Sequence, residues 1–115
     1  MTKVKLSQLA INEIGRQMNS MENLGIGFTD FDFNVLLAKW KNEVQLLSEA
    51  YDAAIDKCMA EKKKKGEVMT NADIDIILAK KHEVEIPEFT MDQVKSTASQ
   101  LPVSVIAMLL KYVKK

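Results

Sequence analysis

Residues 29–65, TDFDFNVLLAKWKNEVQLLSEAYDAAIDKCMAEKKKK, decide the fold. Phe33, Leu36, Leu37, Trp40, Val44, Leu47, Tyr51, Ile55, Cys58 and Met59 recur at steps of three and four, the repeat of one helical face. Lys39, Lys41, Asn42, Glu43, Gln45, Glu49, Asp52, Asp56 and Lys57 fall mostly on the other face. Thr29, Asp30 and Asp32 can each cap orphan amides at the start, where the acidic pair also suits the positive end of the helix dipole. Lys62, Lys63, Lys64 and Lys65 followed by Gly66 supply the stop. A helix of about 35 residues is about 50 Å long, more than the width of a compact domain of this size. Its far end must project, or pack against a partner or a second copy of the chain.

Upstream, Leu6, Leu9, Ala10, Ile14, Met18 and Met21 predict a first helix over about residues 6–21, with Gly15 inside it at a cost of about 1 kcal/mol relative to alanine. Gly25 and Gly27 break the pattern and let the long helix fold back. Downstream, Thr70-Asn71-Ala72-Asp73 is close to a capping box, with aspartate in place of glutamate, and opens a short helix running to about Lys81. Residues 83–89 alternate apolar and polar across Pro87 and read as an extended segment or edge strand. Thr90-Met91-Asp92-Gln93 is a full capping box, and Pro102 suits the first position of a last apolar helix carrying Val103, Ile106, Leu110 and Val113. The expected fold is mainly α. A long antiparallel helical hairpin is followed by short C-terminal helices, the last covering the pair, and by one short extended segment near residues 84–86. Residues 1–115 form a single domain.

Two blocks carry a resemblance. The first is Phe31-Asp32-Phe33-Asn34-Val35-Leu36-Leu37-Ala38-Lys39, running into Glu43-Val44, Leu47, Tyr51 and Ile55. The second is Glu83-Val84-Glu85-Ile86-Pro87, then Phe89, Met91, Val94, Leu101-Pro102 and residues 106–110. Together they resemble a family of small tailed-phage proteins of unassigned function, found mainly in phages of Gram-positive bacteria. That family often begins its long helix with a proline where this chain has Gly27-Phe28-Thr29. It carries no established active site, so no functional residue transfers. The resemblance implies an accessory or late-region phage protein, made in the cytoplasm of an infected bacterium.

Composition narrows the function classes. Sixteen basic residues balance sixteen acidic ones, so no global field gathers nucleic acid or an anionic membrane. Cys58 is the single cysteine and cannot form an intrachain disulfide, which is compatible with a reducing compartment. The first residues hold no apolar run of signal-peptide length, and no run reaches transmembrane length.

Few side chains are suited to catalysis. His82 is the only histidine, so a Cys/His or Ser/His engine would have to use it; an exposed residue after a short helix is the plainer expectation. Asp73 with Asp75, or Glu83 with Glu85, are the conceivable carboxylate pairs. Residues two apart diverge on a helix and align on a strand, so the second pair is the better placed, and a solvated strand face is its plainer reading. No metal, cofactor or catalytic set is expected.

Lys62, Lys63, Lys64 and Lys65, with Lys80 and Lys81, could hold phosphate, but no aromatic residues interleave with them to stack bases. Trp40 and Tyr51 lie on the long stripe, where an internal core, a homodimer seam and a groove for another protein compete, with core as the default. Trp40, Tyr51 and Lys62 to Lys65 are therefore the candidate partner-binding residues. The expected function is protein binding without catalysis, with a phage or host protein as partner and a second copy as a further candidate. Inhibition of a bacterial defence system is one special case. The alternative is a nucleic-acid or nucleotide binder using the lysine run. No membrane partner is expected.

Overall fold

The computed structural model describes residues 2–97 and 100–114. Its elements run β1 (Thr2–Ser7), α1 (Gln8–Asn23), α2 (Phe31–Lys64), α3 (Asn71–Ala79), β2 (Lys81–Ile86), α4 (Met91–Lys95) and α5 (Val103–Tyr112). The fold is mainly α, with a two-stranded antiparallel sheet.

α2 forms where its periodicity places it. The Asp30 carboxylate accepts the Phe33 amide at 3.0 Å, Asp32 sits in the first turn, and Lys62, Lys63 and Lys64 occupy the last. Gly66 adopts φ 72°, the left-handed conformation that ends a helix without steric cost. At 34 residues α2 runs to about 51 Å, nearly the full 54 Å of the molecule's longest axis.

α1 runs antiparallel to α2 and is less than half as long. It starts two residues later than its apolar spacing suggests, because Leu6 belongs to β1 and the Ser7 hydroxyl caps the helix on the Ala10 amide. Gly15 has a steric role. A Cβ there would lie 3.2 Å from Val44 Cγ1 and 3.4 Å from Ser48 Oγ, so its missing side chain lets the two helices approach. Lys41 of α2 pairs with Glu22 near the far end of α1.

Residues 2–7, unassigned or helical by spacing alone, form a strand against β2. Thr2 stands opposite Ile86, Val4 opposite Val84 and Leu6 opposite His82. Lys3 faces Glu85 and Lys5 faces Glu83, so one face of the sheet is a two-by-two array of opposite charges while Val84 and Ile86 enter the core.

Both threonine boxes form. Thr70 and Asp73 cap α3 reciprocally, and Thr90 and Gln93 do the same for α4. Pro102 is the cap of α5 and not its first helical residue.

The core centres on a chain of aromatic rings. Phe28 meets Phe33 edge-on at 4.6 Å, Phe33 meets Phe89 at 5.2 Å, Phe89 lies 6.2 Å from Trp40, and Trp40 meets the edge of Tyr112 at 5.5 Å. Ile11, Ile14, Val44, Val84, Val105 and Leu109 close around it. The Lys114 amide donates to the Phe89 carbonyl at 2.8 Å and fixes the end of α5 on the same centre.

Trp40→Ala and Phe89→Ala are each expected to cost about 3–5 kcal/mol, and the half-buried Leu47→Ala about 1–2, in urea unfolding. Gly15→Val should cost about 1–3 kcal/mol by forcing α1 from α2. Near-wild-type unfolding of Phe89→Ala would remove the aromatic chain from the centre of the fold.

Candidate functional site

The apolar stripe of α2 is unevenly covered. Its buried residues are Phe33, Trp40 and Val44, all in the N-terminal half. Trp40 is therefore core and presents no surface to a partner; its indole N–H is buried and finds no acceptor among the described residues. Past Val44 the same stripe is half-buried at Leu47, Tyr51, Ile55 and Cys58 and exposed at Met59. The cause is length: α1 runs out before α2 does.

Beyond that point α2 is accompanied by α3, whose end also meets the start of α1. These two helices make an arm that has no fully buried residue: Ile74, Ile77 and Leu78 of α3 are half-buried, and none of its side chains is enclosed. Met59 is 46% exposed, Ile76 73% and Val68 84%. Local polar contacts hold the arm. Lys62 reaches Glu67 at 3.2 Å and Asp73 at 3.7 Å, tying the last turn of α2 to the first turn of α3. The hydrogen bond to Glu67, with the Asp73 charge behind it, raises the Lys62 pKa and keeps the ammonium charged.

The lysine run is thus divided. Lys62 is engaged within the protein, whereas Lys63, Lys64 and Lys65 are exposed at the tip. Tyr51 lines an open, polar groove of about 600 Å³ between α1 and α2, with Asn12, Arg16, Gln45 and Asp52.

A buried polar hub at Gln8 is not legible from residue spacing. Its amide nitrogen donates to Asn12 Oδ1 and to the Leu47 main-chain carbonyl, both at 3.0 Å. Its amide oxygen then faces His82 Nε2 at 2.8 Å, so that ring nitrogen carries the proton. Gln8 also donates its main-chain amide to the Lys80 carbonyl at 2.8 Å. One side chain thereby joins α1, α2 and β2. The available signal was a glutamine at the start of an apolar helix, which does not reveal such partners.

His82 is accordingly half-buried within β2, not an exposed residue after a helix, because pairing with β1 carries Leu6 opposite it. No hydrogen bond joins His82 to Cys58, which sits half-buried on the arm. Asp73 serves the α3 cap while Asp75 is exposed. Lys3 and Lys5 oppose the Glu83 and Glu85 pair, Lys3 reaching Glu83 at 3.8 Å. Among the described residues no group of three or more His, Cys, Asp or Glu side chains is placed to hold a metal ion, and no helix is long and apolar enough to cross a membrane.

Compared with protein-family models, curated proteins and solved structures, the chain has no significant match.

Gln8→Leu should cost about 1–3 kcal/mol, since it removes bonds to α2 and strands the His82 donor; an unchanged urea midpoint would count against the hub. A second expectation concerns acid. The Thr70 amide, then the Thr70 hydroxyl and Lys62, hold the Asp73 carboxyl below its ordinary value of 3.8 against the opposing effect of burial. The folded state therefore favours the carboxylate. Its contribution is complete above the ordinary value and is lost as the pH falls through the depressed one. Amide protection in α3 should drop in that acid window, and Asp73→Asn should remove this component of the pH dependence.

Proposed function

We propose that this chain is a non-catalytic protein-binding module, and that the arm formed by the distal part of α2 with α3 is its contact surface. The observation that supports this reading is the arm itself: a projecting two-helix layer with exposed Met59 and Ile76 and no enclosed side chain. Apolar side chains left at the surface of an ordered element are what a partner's apolar side chains can cover. The resemblance to small tailed-phage proteins supplies the setting. The chain would be a phage accessory protein acting in the infected cell on another phage protein or a host factor, inhibition of a defence system being one form of such action.

The lysine run is a weaker basis for a nucleic-acid reading. Lys62 is held by Glu67 and Asp73, which leaves three cations at the tip. Phosphate-driven binding from so few contacts would be weak and steeply dependent on salt.

The test is affinity capture from infected cells with the wild-type chain and with Met59→Asp plus Ile76→Asp, both exposed and tolerant of charge. A specific protein retained by the wild type, lost by the double variant and resistant to nuclease supports the proposal. Equal retention by both would remove the arm from the interface. Capture that disappears with nuclease, or with Lys63, Lys64 and Lys65 changed to alanine, would favour nucleic acid. A solution mass of twice the chain that reverts to the monomer in the double variant would identify a second copy as the occupant.

A further inference from the structure

The two edges of the sheet differ. On β2 the Glu85 amide donates to Glu43 Oε1 of α2 at 3.3 Å, so α2 meets that edge. β1 has no third strand beside it. The direction of the Glu85 amide also fixes the hydrogen-bond phase. It points away from β1, so Lys3 and Glu85 form a non-hydrogen-bonded pair, as do Lys5 and Glu83 two residues on. The main-chain N–H and C=O groups of Lys3 and Lys5 therefore point outward from the free side of β1. None of them has a hydrogen-bond partner among the described residues.

This edge has a defined chemistry on each face. Lys3 and Lys5 project on the outer face, and Lys5 has no ion-pair partner among the described residues. On the inner face Val4 and Leu6 line a groove of about 510 Å³ with Ile86, Pro87 and Tyr112; Lys111 also lines it, while Lys114 there is paired with Glu88 at 3.6 Å. A strand added to β1 would place alternate side chains against the two lysines and the intervening ones in the apolar groove. Among this chain's strands the same alternation is Glu83-Val84-Glu85-Ile86 of β2, already paired to the other side of β1. A second copy is a poor occupant, because joining β1 to β1 sets lysine beside lysine; cationic edge strands discourage such self-pairing.

We propose that the free edge of β1 is a docking site for an extended segment of another protein in which acidic and apolar residues alternate, bound by strand addition. Main-chain bonds to Lys3 and Lys5 would supply the register, the apolar groove the inner contacts, and the lysines the selection for acid. This surface is separate from the arm, so its failure would leave the protein-binding reading of α2 and α3 standing.

The probe is a blocked peptide, Thr-Glu-Val-Glu-Val-Glu-Thr, added to the full ¹⁵N-labelled chain. Its counterpart carries lysine in place of each glutamate. Saturation with the acidic peptide should slow amide exchange at Lys3 and Lys5 and shift the signals of residues 2–7 and Tyr112. The lysine peptide should bind at least about tenfold more weakly. Lys5→Pro removes one outward N–H that holds nothing in the fold, and proline is tolerated at such an edge position. It should weaken the acidic peptide by about tenfold or more while leaving the unfolding midpoint unchanged. If Lys5→Pro proves unstable, Lys3→Gln with Lys5→Gln serves in its place and should abolish the preference between the two peptides. Equal binding of both peptides by the wild type, binding that leaves Lys3 and Lys5 exchange unaltered, or no binding at millimolar peptide would overturn the proposal. So would protection of those amides in the free chain that grows with its own concentration.

Discussion

Phe89 is the residue on which the separate parts of this chain converge. It follows β2 by three positions, yet its ring lies between Phe33 and Trp40 of α2, and its carbonyl receives the amide of Lys114 beyond α5. The strand, the long helix and the end of the last helix are fixed to one another through it. Phe28 extends the chain of rings into the turn before α2, and Tyr112 extends it into α5. Remote segments thus contribute rings, two of them from α2, to a single apolar volume. Their burial supplies the non-directional attraction, while edge-on and tilted contacts select the arrangement. Burial also raises the pKa of the Tyr112 phenol, which stays neutral where it closes the stack.

The same construction explains why half of α2 has no core. The rings and the residues of α1 and α5 can enclose only the part of the helix they reach. Antiparallel α1 contributes 16 residues against 34, and the deficit falls at the C-terminal end of α2. α3 follows that end but is nine residues long and only half buries Ile74 and Ile77, leaving Ile76 exposed. Length mismatch between partners thereby becomes surface, and Met59 and Ile76 are its visible part.

Much of this was legible in the sequence because it is local. The limits of α2 follow from Asp30, the lysine run and Gly66; both threonine boxes close on the third residue, as their spacing requires. What was not legible depends on distant partners. Lys3-Val4-Lys5-Leu6 alternates over too short a span to be distinguished from the start of a helix until Glu83-Val84-Glu85-Ile86 lies opposite it. Gly15 reads as a helix weakness until Val44 and Ser48 occupy the space its side chain would take. The stripe on α2 identified the correct face, with Trp40 in the core, but periodicity has no measure of how far a covering helix extends. Gln8 shows the same limit for polar groups, since its three partners lie in α1, α2 and β2.

An arm without a core needs another source of shape, and here the source is polar and local. Gly66 turns the chain, the Thr70 and Asp73 box fixes the start of α3, and Lys62 holds Glu67 and Asp73 from the last turn of α2. Each contact is worth little alone where solvent screens it. Placed within one tight turn, they act on the same few dihedrals and restrict how α3 can depart from α2. Ile74, Ile77 and Leu78 are half-buried in holding it together, and Met59, Val68 and Ile76 are left over. The division is complementary to that in the body, where apolar rings fix the geometry and Gln8 and Gln17 are the buried polar exceptions among the described residues. In the arm polar caps fix the turn, and Met59, Val68 and Ile76 are left outward. That inversion, more than any single residue, is what the proposed contact surface rests on.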